Sequence, residues 1–241
     1  MRFKRLLKYF MLLLLLVSLG LVYGFSKHRN QHKKVKEIVV FFNEGENNFL
    51  THSMVNKLLI QNEGNVKNQA KSMIDLYQLE KTVLANPFVE KASVFLSIQN
   101  VLNVHVKQRE AIARIMNESH SYYIDKQGVS FPVSENYSAR VPVITGVKKE
   151  ADLKEIHQLL IQINKDEFLK NEVVGIHNTN ANEFEIYVRS GNYVIEFGKI
   201  KDIKQKFFNL KAFYSKVFFE DKMKAYKTIN LKYHNQVVCT K

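Results

Sequence analysis

Cysteine occurs once, at Cys239, and a lone thiol closes no disulfide within the chain, so an oxidising compartment is neither required nor excluded. Proline occurs three times and glycine nine times in 241 residues, which leaves no tract for a long disordered tail. Acids are absent from the first 36 residues, which hold nine Lys/Arg, while the other 205 hold 27 Lys/Arg against 23 Asp/Glu. The net charge of +13 therefore belongs mainly to the N-terminal segment, and the whole-chain value is a poor guide to partners. Catalytic signatures are missing too. There is no G-x-S-x-G elbow, no phosphate-binding glycine loop, no dinucleotide fingerprint and no H-E-x-x-H or paired-cysteine spacing.

What is present begins with MRFKRLLKYFMLLLLLVSLGLVYGFSKHRNQHKK. Tyr9–Phe25 carries no charge, and Leu6 and Leu7 extend the apolar stretch if Lys8 snorkels. Twenty residues at helical rise span roughly 30 Å, the thickness of a bilayer core. A cleaved signal peptide is the rival reading. Its apolar region is shorter, and no small-x-small cleavage site precedes Lys27, so the segment reads as an uncleaved anchor. Basic residues flank both ends and do not decide orientation; the bulk of the chain on one side favours N-terminus in, remainder out.

The expected organisation is a tail at 1–8, a span at 9–25, a basic linker at 26–35, a first domain at 36–110 and a β-rich domain at 111–241. In the first domain KEIVVFFN reads as a strand and Asn43–Asn48 as a turn. Thr51 opens a helix with Met54, Val55, Leu58 and Leu59 on one face, and 61–70 reads as a polar loop. Asp75 with Gln78 forms a capping-box pattern before Leu76, Leu79 and Val83, and Asn86-Pro87 ends that helix. Val94, Leu96 and Ile98, then Leu102, Val104 and Val106, alternate as a β-hairpin. Strand, helix, helix, strand, strand is the order of a polypeptide-transport-associated (POTRA) module, and the fold class is α+β.

In the second domain Ile112–Met116 reads as a strand, and Tyr122–Ile124 with Val129–Phe131 as a hairpin turned at Gly128. An amphipathic helix follows with Leu153, Ile156, Leu159, Leu160 and Ile163, then strands at Val173–His177, Phe184–Val188 and Tyr193–Phe197. Asp202 opens a helix striped by Ile203, Phe207, Leu210, Tyr214 and Val217. The closing KTINLKYHNQVV reads as one strand, with Ile229, Leu231 and Tyr233 on one face and Asn230, Lys232 and His234 on the other.

Eight histidines are scattered, and His28 and His32 lie in a basic segment that repels cations, so no metal or other cofactor is expected. Asp152 with Glu155 and Asp166 with Glu167 read as solvated helix charges. Lys199, Lys201, Lys204, Lys206, Lys211 and Lys216, interleaved with Phe207, Phe208 and Phe213, read as a basic helix face rather than a nucleic-acid surface. No small-molecule substrate is implied.

Four motifs, in this order behind one apolar span, carry a resemblance over essentially the whole chain: NPFVEKASV at Asn86–Val94, VKQREAIARI at Val106–Ile115, YYIDKQGVSF with Asp125, Gly128 and Phe131, and VPVITG at Val141–Gly146. They resemble the FtsQ/DivIB family of bacterial cell-division proteins. Gln108 stands where the family pattern has an acid, Ala111 where it has proline, and Phe88 where tryptophan is common. The resemblance implies a non-catalytic, single-pass scaffold of the division septum. Its β-domain would bind the single-span partners FtsB and FtsL and control septal peptidoglycan synthesis. It also implies contact through the last strand and the helix before it: Ile229, Asn230, Leu231, Lys232 and Tyr233, with Phe207 and Tyr214 of the helix alongside. VPVITG would be a turn setting the first hairpin against the sheet. The alternatives are an anchored POTRA-bearing protein that handles envelope polypeptides, and an anchored enzyme. The first would want several POTRA repeats or a large barrel, the second a catalytic constellation.

Overall fold

The computed structural model describes residues 2–43, 49–63, 66–118, 120–148, 150–179, 183–219, 225–233 and 236–241. Most of the expected turn at Asn43–Asn48, and His234, lie outside them. The chain divides into two compact units, Met1–Glu44 with Leu50–Gln108 and Gly45–Phe49 with Arg109–Lys241.

The first unit runs α1 (Arg2–Gln31), β1 (Glu37–Phe42), α2 (His52–Glu63), a 3-10 turn (Lys71–Met73), α3 (Leu76–Leu84), β2 (Val89–Leu96) and β3 (Val101–Gln108). β3 lies in the middle of the sheet, parallel to β1 and antiparallel to β2. Because strand side chains alternate, Leu102, Val104 and Val106 fall on one face with Val40 and Val94, and they share a core with Val55, Leu59, Leu79 and Val83 of the helices. The Asp75 carboxylate accepts from the Gln78 N–H at 3.0 Å and caps α3. Gln108 pairs with the Leu50 backbone in both senses, accepting from its N–H at 2.8 Å and donating to its carbonyl at 3.2 Å. A glutamine does this where an ionised acid could only accept.

Two expectations are corrected here. The segment 26–35 is not a free linker. α1 continues to Gln31, and Lys33–Lys36 is then hydrogen-bonded along its backbone to residues 68–71 and Asn100, with Val35 fully buried. Nor is 61–70 all loop: α2 continues to Glu63, and Val66 is a core residue. Charge and polarity suggested solvent for both segments, but backbone pairing and one buried valine in each decide otherwise.

The second unit is a nine-stranded mixed sheet in the order β12-β11-β10-β9-β8-β7-β4-β5-β6. Its strands are β4 (Ala111–Met116), β5 (Ser121–Asp125), β6 (Ser130–Pro132), β7 (Val143–Thr145), β8 (Val173–Asn178), β9 (Phe184–Val188), β10 (Val194–Gly198), β11 (Thr228–Asn230) and β12 (Val238–Thr240). Helices α4 (Glu150–Lys165) and α6 (Ile203–Phe219) supply Ile156, Leu159, Leu160 and Ile163, and Phe207, Leu210, Tyr214 and Val217, to one core with Ile144, Ile176, Ile186 and Ile195. VPVITG is corrected from a turn to a strand: β7 lies parallel between β4 and β8, with Gly146 turning at φ +79° after it.

A short helix, α5 (Glu167–Glu172), is capped by Asp166, whose carboxylate accepts from the Leu169 N–H at 3.1 Å and pairs with Lys211 of α6. The hydrogen bond from Lys211 holds the Asp166 carboxyl below its usual range. A depressed folded value means stability present above the unfolded pKa of about 3.9 and lost as pH falls through the folded value. Asp166→Asn keeps a capping oxygen and removes the charge. At pH 7 its urea midpoint is expected to correspond to less than about 1 kcal/mol of loss, since the pair is solvent-screened. The gap from the parent should close as pH falls below about 4, and a gap unchanged by acid would dismiss the ion pair.

Candidate functional site

The two edges of the nine-stranded sheet differ. At β6, Pro132 has no N–H and interrupts the row of donors that an incoming strand would use. β12 contains no proline, pairs with β11 on its inner side, and has no partner on its outer side among the described residues. Val238 and Thr240 are exposed, while Cys239 is half-buried against the core. Burial pushes the Cys239 thiol up, away from thiolate chemistry.

The expected single strand through Tyr233 is therefore corrected. β11 stops at Asn230, whose side-chain oxygen accepts from the Lys232 N–H at 2.9 Å. Such a local bond competes with the ladder and ends the strand. The chain then returns as β12 and covers β11, with Asn230 opposite Val238. A strand periodicity over KTINLKY could not reveal this, because the break is made by one asparagine side chain.

Of the residues the resemblance pointed to, Ile229, Leu231, Phe207 and Tyr214 are buried and present no side chain to a partner. Tyr214 accepts from the Tyr193 hydroxyl at 2.8 Å, and the Tyr193 hydroxyl also meets Ser190, which bonds to Glu172. Burial pushes the Tyr214 hydroxyl far above its ordinary value, so it stays a neutral hydrogen-bonding group that fixes α6. Asn230 is half-buried and donates to Glu196 at 2.5 Å. Lys232 and Tyr233 are exposed.

Those last two residues line a shallow pocket with Glu183, Lys199, Lys201, Asp202, Gln205, Lys206 and Asn209, where β10 and β11 end and α6 begins. Four lysines face two acids there. The Lys232 ammonium lies 2.7 Å from Glu183 and 3.5 Å from Glu196; the bond to Glu183 raises the lysine's pKa and lowers the acid's. Lys206 is folded inward, donating to the Phe197 and Lys199 carbonyls at 2.7 and 2.9 Å over the Phe197 ring, and burial pulls its pKa down. Lys199 and Lys201 make no ion pair or side-chain hydrogen bond among the described residues. The arrangement offers a polar, positively charged rim beside an open strand edge. It holds no nucleophile with an adjacent base, and among the described residues no group of three or more His, Cys, Asp or Glu is placed to hold a metal ion.

An apolar helix, Leu7–Asn30, long enough to cross a membrane, then a three-stranded sheet with two helices, then a nine-stranded mixed sheet: these define an α+β protein with a POTRA-like region behind one apolar helix. The POTRA-like domain model matches residues 34–107, and the FtsQ/DivIB, C-terminal related model matches residues 110–240. The chain belongs to the FtsQ/DivIB family, in general non-catalytic cell-division proteins. It is 24% identical over 168 residues to the cell division protein FtsQ of Geotalea daltonii, covering 65% of this chain and 60% of that one. It is 23% identical over 138 residues to the cell division protein DivIB of Clostridium tetani, covering 56% and 49%. The chain thus spans between about half and three fifths of the length of these relatives. The major extracytoplasmic domain of the cell division protein DivIB from Geobacillus stearothermophilus is 14% identical, covering 48% of this chain and 97% of that one with a TM-score of 0.32.

Proposed function

We propose that this protein is a non-catalytic, single-pass scaffold of the bacterial division septum, N-terminus inside, with the POTRA-like part of the first unit and the whole second unit outside the cytoplasm. Its second unit binds FtsB-like and FtsL-like single-span partners, and the assembly controls septal peptidoglycan synthesis. The observation that carries the reading is the asymmetry of the sheet edges, with β6 blunted by Pro132 and β12 open beside the lysine pocket. An extended partner segment adding to β12 gains main-chain hydrogen bonds, and acidic side chains flanking it meet Lys199, Lys201 and Lys232. Tyr233 supplies a rigid exposed anchor. The reading as a handler of envelope polypeptides would use the edge of the POTRA-like sheet instead. There Glu80 already accepts from the Val94 N–H at 3.0 Å, which weakens that edge as a docking strip.

The test uses the full chain in lipid nanodiscs with the extracytoplasmic segments of its co-resident FtsB-like and FtsL-like proteins. Successive N–H groups on an edge strand point to opposite sides. Of Val238→Pro and Cys239→Pro, one therefore removes an outward donor and the other breaks the ladder to β11. The outward proline should leave thermal unfolding unchanged and weaken binding about tenfold or more, as should Tyr233→Ala. Parent-like binding by every folded variant would remove the function from this edge.

A further inference from the structure

The end of the first unit from which α1 departs has a surface that the scaffold reading does not use. α1 leaves the unit with its apolar window, Leu7–Asn30, wholly uncovered by protein. There is no slack below it. Lys33 accepts through its carbonyl from the Lys71 N–H at 2.8 Å, Val35 exchanges bonds with Gln69 and Asn68 at 3.0 Å, and the Lys36 N–H donates to the Asn100 carbonyl at 3.0 Å. The helix end is thus strapped to the 3-10 turn at Lys71–Met73 and to the turn joining β2 to β3. β1 and β3 are parallel with Glu37 opposite Val101, so that turn lies at the end of the sheet where α1 enters.

Three large apolar side chains stand out in solvent at this same end: Ile98 at the tip of the turn, 90% exposed, Met73 at 78% and Tyr77 in the first turn of α3 at 75%. The end of α1 and the segments strapped to it carry Lys27, Arg29, Lys33, Lys34, Lys36, Lys67 and Lys71, against Glu37 and Asp75 among the described side chains. Apolar tips inside a basic collar are the composition of a surface that sits in a bilayer interface. Distance agrees. From Phe25, the last apolar residue of the span, to Lys33 is about 12 Å at helical rise. The headgroup layer beyond the hydrocarbon core is roughly 5–8 Å deep, and a tilt of up to about 40° shortens the rise to about 9 Å, so the Lys33 backbone lies just beyond that layer and long side chains from this end reach back into it.

We infer that this end of the POTRA-like unit docks on the membrane that α1 crosses, with Ile98, Met73 and Tyr77 in the headgroup layer and the lysine collar on the phosphates of anionic lipids. The docking rests on the anchored reading of α1. It holds the unit at a fixed height and tilt rather than letting it swing on a tether. The collar lies outside the cytoplasm in the proposed orientation, where the positive-inside preference gives no reason for it, and lipid phosphate supplies one.

The test places single environment-sensitive fluorophores on the full chain in a Cys239→Ser background, at Ile98→Cys, at Lys91→Cys near the opposite end of β2, and at Leu14→Cys within α1. The protein is reconstituted in phosphatidylcholine nanodiscs with or without phosphatidylglycerol. With the anionic lipid, the Ile98 label should be quenched by headgroup nitroxide lipids and shielded from acrylamide, and the Lys91 label the reverse. Each lysine contributes about 1 kcal/mol at such a surface, or about a fivefold change in the docked-to-undocked ratio. The variant K33Q/K34Q/K71Q, or neutral lipid alone, should therefore release the Ile98 label into water. An Ile98 label as open to acrylamide as the Lys91 label, with the Leu14 label shielded, would overturn the docking and leave the anchor standing. A Leu14 label in water would overturn both. Shielding of Ile98 that ignores lipid charge and the three lysines would overturn the role of the collar.

Discussion

Asp125→Ala is expected to lower the unfolding free energy of the second unit by about 3–5 kcal/mol, the loss of three hydrogen bonds accepted by one buried carboxylate. Asp125 is 1% exposed, and both carboxylate oxygens are in use. Oδ1 accepts from the Gln127 and Val129 N–H groups at 2.9 and 2.8 Å, which forms the turn between β5 and β6, and Oδ2 accepts from Arg109 at 2.6 Å. Gly128, at φ +81°, completes the turn by donating to the Asp125 carbonyl at 3.0 Å. Alanine removes two turn bonds and the ion pair to Arg109 at the start of β4. Asparagine keeps an oxygen for the turn but sets an amide donor against the guanidinium, so it should restore only part of the loss. Calorimetry of the full chain in detergent reads the effect as a fall of about 10–20 °C in the second unit's transition. A shift of under about 3 °C for Asp125→Ala would mean the pair contributes little, as exposed ion pairs do.

This pair also shows what a motif is in physical terms. Arg109 comes from the stretch VKQREAIARI and Asp125 from YYIDKQGVSF, and along the sequence they are unrelated. Folded, they are one ion pair that closes the start of β4 against the β5–β6 turn. The elements themselves were legible because their periods were long enough to read. Ile156, Leu159, Leu160 and Ile163 repeat at helical spacing over two turns, and Leu102, Val104 and Val106 alternate over a whole strand. The parts that were not legible are short. β7, β11 and β12 are three residues each, and α5 is six, too few for either period to emerge. Their existence is decided by partners far away in the chain: β7 by β4 and β8, β12 by β11.

The edge strand was hidden in the sequence for the same reason. The alternation at Ile229–Tyr233 is the last strong one in the chain, but a weaker three-residue strand, β12, follows it and takes the edge. Lys232 and Tyr233 nonetheless stayed beside the edge, because β12 begins opposite the residue where β11 ends. Phe207 and Tyr214 were legible as an apolar stripe, and a stripe at helical spacing marks a buried face whether or not a partner lies nearby.

Gly146→Ala should be more damaging still, although it adds only one methyl group. Gly146 turns at φ +79°, a conformation that costs an alanine roughly 1–2 kcal/mol by itself. A Cβ there would sit 2.1 Å from the Asn178 carbonyl oxygen and 3.0 Å from its carbon. Both are backbone atoms of β8, so no rotamer change relieves the contact, and β7 and β8 must separate where Thr145 and His177 pair. Separation costs ladder bonds in the middle of the nine-stranded sheet and strips neighbours from Ile144 and Ile176, both buried. The sum exceeds about 4 kcal/mol, enough to lower the second unit's transition by more than about 12 °C or to prevent folding. Gly175→Ala is the control: its nearest contacts would be 3.4 Å from the Val143 carbonyl oxygen and 3.6 Å from Tyr187, and it should cost under about 1 kcal/mol. Equal transitions for the two variants would show that β7 and β8 yield without penalty and that the glycine of VPVITG is not held by this approach. The strands from β8 to β12 all lie on one side of the break, so Gly146→Ala should also abolish any binding at β12. That loss would come from a sheet divided in two rather than a blocked edge. The edge prolines and Tyr233→Ala are therefore the variants whose binding can be read directly, provided each keeps the parent's unfolding transition.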